Sequence, residues 1–248
     1  MKIQETDTVF SAGNRWPDVS VIIPLYNYEK YICEALDSVA AQTVDEIGLV
    51  VVDDHSRDQS GAAVAEWMQS NAERFTQCLL VRNRANAGLS ITRNTGTQLT
   101  ASPFLFFLDA DNHIYPRCLA MLREALSASD AAFAYTLLEV FDADCGVMGS
   151  EVFERDRLKY GNYIDAMVML RKDRLLRYDG YREMKHGWED YELWLRICEA
   201  GEFGLQVPEI LGRYRVHAAS MIRTVTSAEK NYIELRKTML KLHPWIEI

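Results

Sequence analysis

Cysteine is scarce in this chain: five residues in 248, none of them paired in a C-x-x-C pattern. Cys33, Cys78, Cys118, Cys145 and Cys198 are scattered and odd in number, which argues against a zinc ribbon or a disulfide scaffold. A reducing, cytoplasmic setting follows. No apolar run reaches the roughly 20 residues that a membrane-crossing helix needs. Residues 1–18 also lack the apolar stretch of a secretory signal. Membrane association is therefore expected only peripherally, at the inner face, through partners or further segments. Basic clusters are missing as well: acids outnumber lysine and arginine 36 to 27, for a net charge of -9, so no nucleic-acid partner is expected. Low-complexity tracts, repeats and Gly-, Pro- or Ser-rich linkers are absent. With 48% hydrophobic residues, the expectation is one ordered domain over 1–248.

What is present is alternation. A β-branched run at 19–23 is expected to stop at Pro24, which has no N–H for a central ladder. A helical stripe of Ile32, Ala35, Leu36, Val39 and Ala40 follows. Strands are then expected at 47–52, 78–81 and 104–108, with helices at 61–74 and 88–99 between them. This order predicts a mainly parallel sheet with helices on both faces. In such sheets ligands bind beyond the carboxyl ends of the strands. Three of these ends carry polar groups: Tyr26-Asn27, Asp53-Asp54 and Asp109-Ala110-Asp111. They should lie along one sheet edge. The second half reads as a strand at 131–140, a turn at 142–146 and a loop-rich stretch at 148–170. Beyond it come a helix at 189–200, a short strand at 205–207, a strand closing at Tyr214–His217, and a last helix at 227–242.

The candidate sites follow from chemistry. Asp109 and Asp111 stand two apart at the end of an apolar strand, where both can reach one cation once the chain turns. Hard oxygen ligands suit Mg²⁺ or Mn²⁺, whose shells are usually completed by substrate phosphates. The alternative is a pair of turn-forming acids. Of Asp53 and Asp54, one is expected to cap the following helix and the other to accept from a base or ribose. Gly88 sits at a loop-to-helix junction where backbone could approach a phosphate, and Arg93 lies one turn on; a plain helix start fits equally well. Trp188-Glu189-Asp190 opens a helix, where acids are favoured by the dipole alone. Its functional reading is a general base beside an acceptor hydroxyl. Trp188 is either a sugar-stacking ring or a helix anchor, and His217 is a candidate third metal ligand.

Taken together these segments resemble family 2 glycosyltransferases of the GT-A fold. The resemblance runs from Val19 to about His217. It rests on Val-Ser-Val-Ile-Ile-Pro-Leu-Tyr-Asn at 19–27, Val-Asp-Asp-His-Ser at 52–56 and Asn86-Ala87-Gly88 with Arg93-Asn94-Thr95-Gly96. Leu108-Asp109-Ala110-Asp111 and Trp188-Glu189-Asp190 complete it. It implies a Rossmann-like α/β core, with about 19–112 holding a nucleotide-diphosphate sugar and about 113–248 facing a saccharide or lipid-linked saccharide acceptor. Pro24, Tyr26, Asn27, Glu29, Asp53, Asp54 and Asn86 would serve the nucleotide. Gly88 and Arg93 would border the diphosphate, with Asp109 and Ala110 near the ribose. Asp109, Asp111 and His217 would surround the metal, Trp188 and Glu189 would face the acceptor, and Asp190 would be the base of an inverting transfer. UDP is the default nucleotide, with dTDP and GDP left open.

Two departures stand out. His55 replaces the usual glycine after the two aspartates, so that turn is expected to differ. Thr92 replaces a common alanine. Among rivals, a dinucleotide dehydrogenase needs G-x-G-x-x-G after its first strand, and a nucleotidyltransferase a Gly-rich basic loop; Pro24-Leu25-Tyr26-Asn27 stands there instead. A non-catalytic nucleotide-sugar or glycan-binding module is the remaining alternative. The retention of Asp109, Asp111 and Asp190 argues for chemistry.

Overall fold

The computed structural model describes residues 1–218 and 220–248. In chain order its first half holds β1 (Thr6–Gly13), β2 (Val19–Leu25), α1 (Ile32–Ala40), β3 (Ile47–Asp53), α2 (Ser60–Asn71), β4 (Gln77–Asn83), α3 (Leu89–Leu99) and β5 (Phe104–Phe107). Next come β6 (His113–Ile114), α4 (Cys118–Ser127), β7 (Phe133–Asp142), β8 (Gly146–Met148), α5 (Arg155–Leu158) and β9 (Met169–Arg171). The chain ends with α6 (Lys172–Arg177), α7 (Glu189–Glu199), β10 (Gly204–Val216) and α8 (Glu229–Leu242).

Among the described residues the strands form one sheet in the order β1-β4-β3-β2-β5-β9-β7-β10-β6, with β8 added to β7. The pairs β4–β3, β3–β2, β2–β5 and β7–β10 are parallel, as expected of strand–helix alternation. The antiparallel strands β1, β6, β8 and β9 were not legible, being short or, for β1, largely exposed and polar. The central strands are apolar on both sides because both sheet faces are covered. Along β2, Val19, Val21 and Ile23 face a core built with α1, α2 and α4, while Ile22 faces the opposite core with α7 and α8. α4 carries a legible stripe, Cys118, Leu119, Leu122 and Leu126, that the sequence reading passes over.

Two local expectations are corrected. Pro24 does not end β2: the strand continues to Leu25, with Pro24 opposite Val52. Backbone groups alternate sides along a strand. Leu108 N donates to Ile22 O at 3.0 Å, so the Pro24 nitrogen faces the same side, beyond the end of β5, where no donor is required. His55 itself adopts φ +63°, the left-handed conformation that glycine favours, with Nδ1 3.2 Å from Asn83 O. The two short strands expected around 205–217 are one 13-residue strand, β10. Its register shifts between Val207 and Ile210, across Pro208, the kind of bulge that lets a proline remain in a strand.

α3 crosses β2 so closely that a Cβ on Gly96 would stand 2.4 Å from Ile22 Cγ2. Gly96→Ala is expected to destabilise the fold by about 1–3 kcal/mol through overpacking, read as a lowered urea midpoint with unchanged slope.

Candidate functional site

The carboxyl ends of β2, β3 and β5 open onto a cavity of about 820 Å³. Of the residues expected to serve the nucleotide, Pro24, Tyr26, Asn27, Glu29, Asp54, Asn86, Gly88, Asp109 and Ala110 all border it. Asn27 sits at φ +60°, and its side chain accepts from Arg57 N at 2.8 Å. Glu29 Oε2 accepts from Gln59 N at 2.9 Å, joining this loop to the start of α2.

Asp53 turns the other way. It is 1% exposed, and its carboxylate accepts from Ser56 N at 2.8 Å and Arg82 Nη1 at 3.1 Å, so it braces the turn. Neither Asp53 nor Asp54 caps α2; Asp58 does that work, accepting from Ser60 N at 3.0 Å. Asp54 caps the approach to α3 instead. Its oxygens accept from Ala87 N and Gly88 N, each at 2.8 Å, and from Asn83 Nδ2 at 2.7 Å. The amides read as a phosphate cradle therefore already hold an anion, the Asp54 carboxylate, where the helix dipole favours one.

The four residues Asp109–Asn112 close a turn through Asn112 N to Asp109 O at 3.0 Å. Asp111 Oδ2 lies 2.9 Å from His217 Nε2, and Asp109 Oδ1 accepts from Arg93 Nη2 at 2.8 Å. Among the described residues no three His, Cys, Asp or Glu side chains converge as a ready-made metal cage. Arg93 draws Asp109 aside, and His217 pairs with Asp111 alone. The donor set still suits a hard divalent ion, which commonly takes one or two carboxylates and leaves other positions to substrate phosphates. Burial and the nearby Asp109 charge push the Asp111 carboxyl above the usual range, a penalty that a cation would relieve.

Arg93 does not border the first cavity. It is 1% exposed, bonded to Asp109 at one end and to Glu189 at the other, and stacked 5.4 Å from the Tyr181 ring centre. Burial works against its charge, but Asp109 and Glu189 outweigh burial and hold it firmly protonated. Glu189 is 5% exposed and gives Oε1 to the same pair, so it is a structural partner of Arg93.

Asp190, the next residue, borders a second cavity of about 540 Å³. Trp188 borders it too, at φ +66°, packed edge-on against Tyr191 and Tyr232. Asp190 Oδ2 accepts from Asn162 Nδ2 at 3.0 Å and Oδ1 from Tyr191 N at 2.7 Å. Asp165 lines the same cavity. Burial and neighbouring negative charge, Glu189 for Asp190 and Asp109 for Asp165, push both carboxyls well above the usual range. The two cavities share Leu89, Asp109, Tyr214 and Met221, so they meet at the aspartate that ends the central strand.

The sequence model of Glycosyl transferase family 2 matches residues 20–178, well over half of the chain. The chain belongs to glycosyltransferase family 2. A Haemophilus influenzae protein described as an uncharacterized glycosyltransferase is 25% identical over 232 residues, 87% of this chain and 70% of its own length. Three other curated glycosyltransferases are spanned over about a third of their length or less, whereas the Bacillus subtilis relative EpsE is spanned over 88% of its length at 25% identity. In fold the chain is like S. aureus TarS residues 1–349, solved with UDP-GlcNAc (TM-score 0.73, 20% identity, 91% of this chain and 66% of that one). It is also like the Pyrobaculum calidifontis mannosyltransferase PcManGT, solved with GDP-Man and Mn²⁺ (TM-score 0.66, 18% identity, 84% and 59%). These likenesses establish the GT-A fold for this family 2 chain.

Tyr28, Asn162, Asp165 and Tyr214 also line these cavities, none of them singled out by a sequence motif. Burial, then Asp111 and Asp109, push the Tyr28 hydroxyl up beyond its ordinary range. Asp165 had a usable signal. It abuts the apolar stretch Ala166–Leu170, the same acid-beside-apolar-run pattern that marks Asp109. Removing the Arg93 guanidinium strands Glu189 in the interior. Arg93→Met should therefore cost about 3–5 kcal/mol, the usual penalty for breaking a buried pair from one side, measured by urea unfolding at pH 7.

Proposed function

We propose that the chain transfers a hexosyl or N-acetylhexosaminyl unit from a nucleotide-diphosphate sugar to a hydroxyl of a saccharide or lipid-linked saccharide, with inversion at the anomeric carbon. One observation carries this reading: a donor-sized cavity and a second cavity meet at Asp109, and Asp190 faces the second. The complexes of TarS with UDP-GlcNAc and of PcManGT with GDP-Man and Mn²⁺ support a nucleotide sugar and a divalent ion here, with UDP-sugars the first to try. The reading takes 1–248 as one catalytic unit, with about 19–112 serving the donor and about 113–248 the acceptor, and surface-polysaccharide or glycan assembly as its setting.

Asp190 takes the proton of the acceptor hydroxyl as that oxygen bonds to the anomeric carbon. The bond from the anomeric carbon to the diphosphate oxygen breaks, and the nucleotide diphosphate departs with the electron pair. Asn162 and the Tyr191 amide hold the Asp190 carboxylate without using all its lone pairs. Asp109 and Asp111, with His217 beside them, would hold Mn²⁺ or Mg²⁺, which when bound supplies Lewis-acid neutralisation of the leaving diphosphate. Arg93 and Glu189 contribute rigidity, keeping the Asp109 turn and the start of α7 together.

The test is release of nucleotide diphosphate from a panel of UDP-sugars with Mn²⁺, with and without saccharide acceptors. Asp190→Asn should keep nucleotide binding and lose transfer by about 10²–10⁴-fold; retained turnover removes Asp190 from the role. Binding without release in every wild-type arm would mark a non-catalytic module.

The pH dependence has a definite sign. A base must be ionised, so kcat/KM should fall as pH drops through a value well above the ordinary carboxylate pKa of about 4. A carboxyl raised in the folded state favours folding while protonated, and that contribution is lost as pH rises through the raised value. The thermal midpoint of Asp190→Asn at pH 8 is therefore expected to equal or exceed wild type. A clearly lower midpoint would show that the ionised carboxylate stabilises the fold.

A further inference from the structure

Beside the Asp109–Asn112 turn lies a guanidinium to which the proposed chemistry gives no part. Arg215, near the end of β10, is 8% exposed and sandwiched between the rings of Tyr31 and Phe141, 4.6 and 4.5 Å from their centres. Its donors reach four parts of the fold. Nε donates to the backbone carbonyl of Asp111 at 2.9 Å, and Nη1 to Asp142 Oδ2, at the end of β7, at 3.2 Å. Nη2 donates to Glu34 Oε2 on α1 and lies 3.0 Å from His113 Nε2 on β6. Its backbone N–H donates to Asn112 Oδ1 at 2.9 Å. Asn112 is itself 1% exposed, and its own amide closes the turn onto Asp109.

We infer that Arg215 is a positioning residue for the metal carboxylate, acting through the carbonyl of Asp111 and the side chain of Asn112; this rests on the proposed metal role of Asp111. The two contacts grip the chain immediately after the Asp111 Cα, so the remaining freedom of that residue is mostly its side-chain torsions, which His217 then fixes. A planar fork can serve a carbonyl and two carboxylates at once, whereas a lysine ammonium has no such geometry. Glu34 and Asp142 have side chains 53% and 45% exposed, so removing Arg215 leaves neither as a buried unpaired charge. The consequence should appear at the ion and in the turn more than in global stability.

The experiment titrates Mn²⁺ into the full chain with UDP, following free Mn²⁺ by electron paramagnetic resonance. It compares wild type with Arg215→Met, and with Arg215→Lys should the methionine variant not fold. Mn²⁺ binding should weaken about 10–100-fold, the usual effect of losing an outer-shell partner, while UDP affinity in EDTA stays unchanged. Hydrogen exchange at the Asn112 amide should accelerate in the same variant. Wild-type Mn²⁺ affinity together with wild-type exchange at Asn112 overturns the inference. A parallel loss of UDP affinity in EDTA also overturns it, because Arg215 would then be a nucleotide ligand. Should wild type itself take up no Mn²⁺, the metal reading fails, and exchange at Asn112 alone decides whether Arg215 holds the turn.

Discussion

Arg93 lies in the interior with a carboxylate at each end, and the relation between the two cavities depends on that bridge. A guanidinium taken out of water costs several kcal/mol unless its donors are met. Asp109, at the end of the central strand, and Glu189, at the first turn of α7, meet two of them. The Asp109 turn and the start of α7 are thereby held in fixed relation, although 80 residues separate Asp109 from Glu189 in sequence. Asp190 follows Glu189 directly, so its place relative to Asp109 is inherited from the buried pair.

Around that bridge the acids divide into two kinds. Asp53 and Asp54 spend both oxygens on protein donors, Glu189 gives one to Arg93, and all three serve as braces. Asp111, Asp165 and Asp190 are crowded by burial and by one another, and each is pushed toward its protonated form. Such a field favours a cation at one end and proton uptake at the other, the two requirements of displacing a diphosphate with a hydroxyl. Two arginines brace this acidic strip. Arg93 anchors Asp109 through its side chain, and Arg215 grips the same turn through backbone and Asn112.

The parallel half of the fold was legible because its signal is local: apolar runs of strand length, helical stripes between them, and polar groups where each strand stops. The motifs of family 2 lie at those stops. The antiparallel strands were not legible. β6 and β9 are two and three residues long, too short for any periodicity, and exist because neighbouring strands offer them hydrogen bonds. Pro24 misled for a related reason. Whether a missing N–H breaks a strand depends on what lies beside it, and a sequence does not show its neighbours.

Sequence alone therefore determined the family and the parallel core, and it marked Asp109, Asp111 and Asp190 as candidates from residue type and the apolar runs they terminate or precede. Only the tertiary structure decided which acids are free. Asp53 and Asp54 are adjacent, and so are Glu189 and Asp190, yet within each pair the oxygens meet different partners: Arg82 and a backbone amide for Asp53, the buried Arg93 for Glu189. The choice depends on partners about 30 residues away for Arg82 and about a hundred for Arg93, brought up by strand pairing and helix packing. A carboxylate's chemistry is set by its surroundings, and those are long-range.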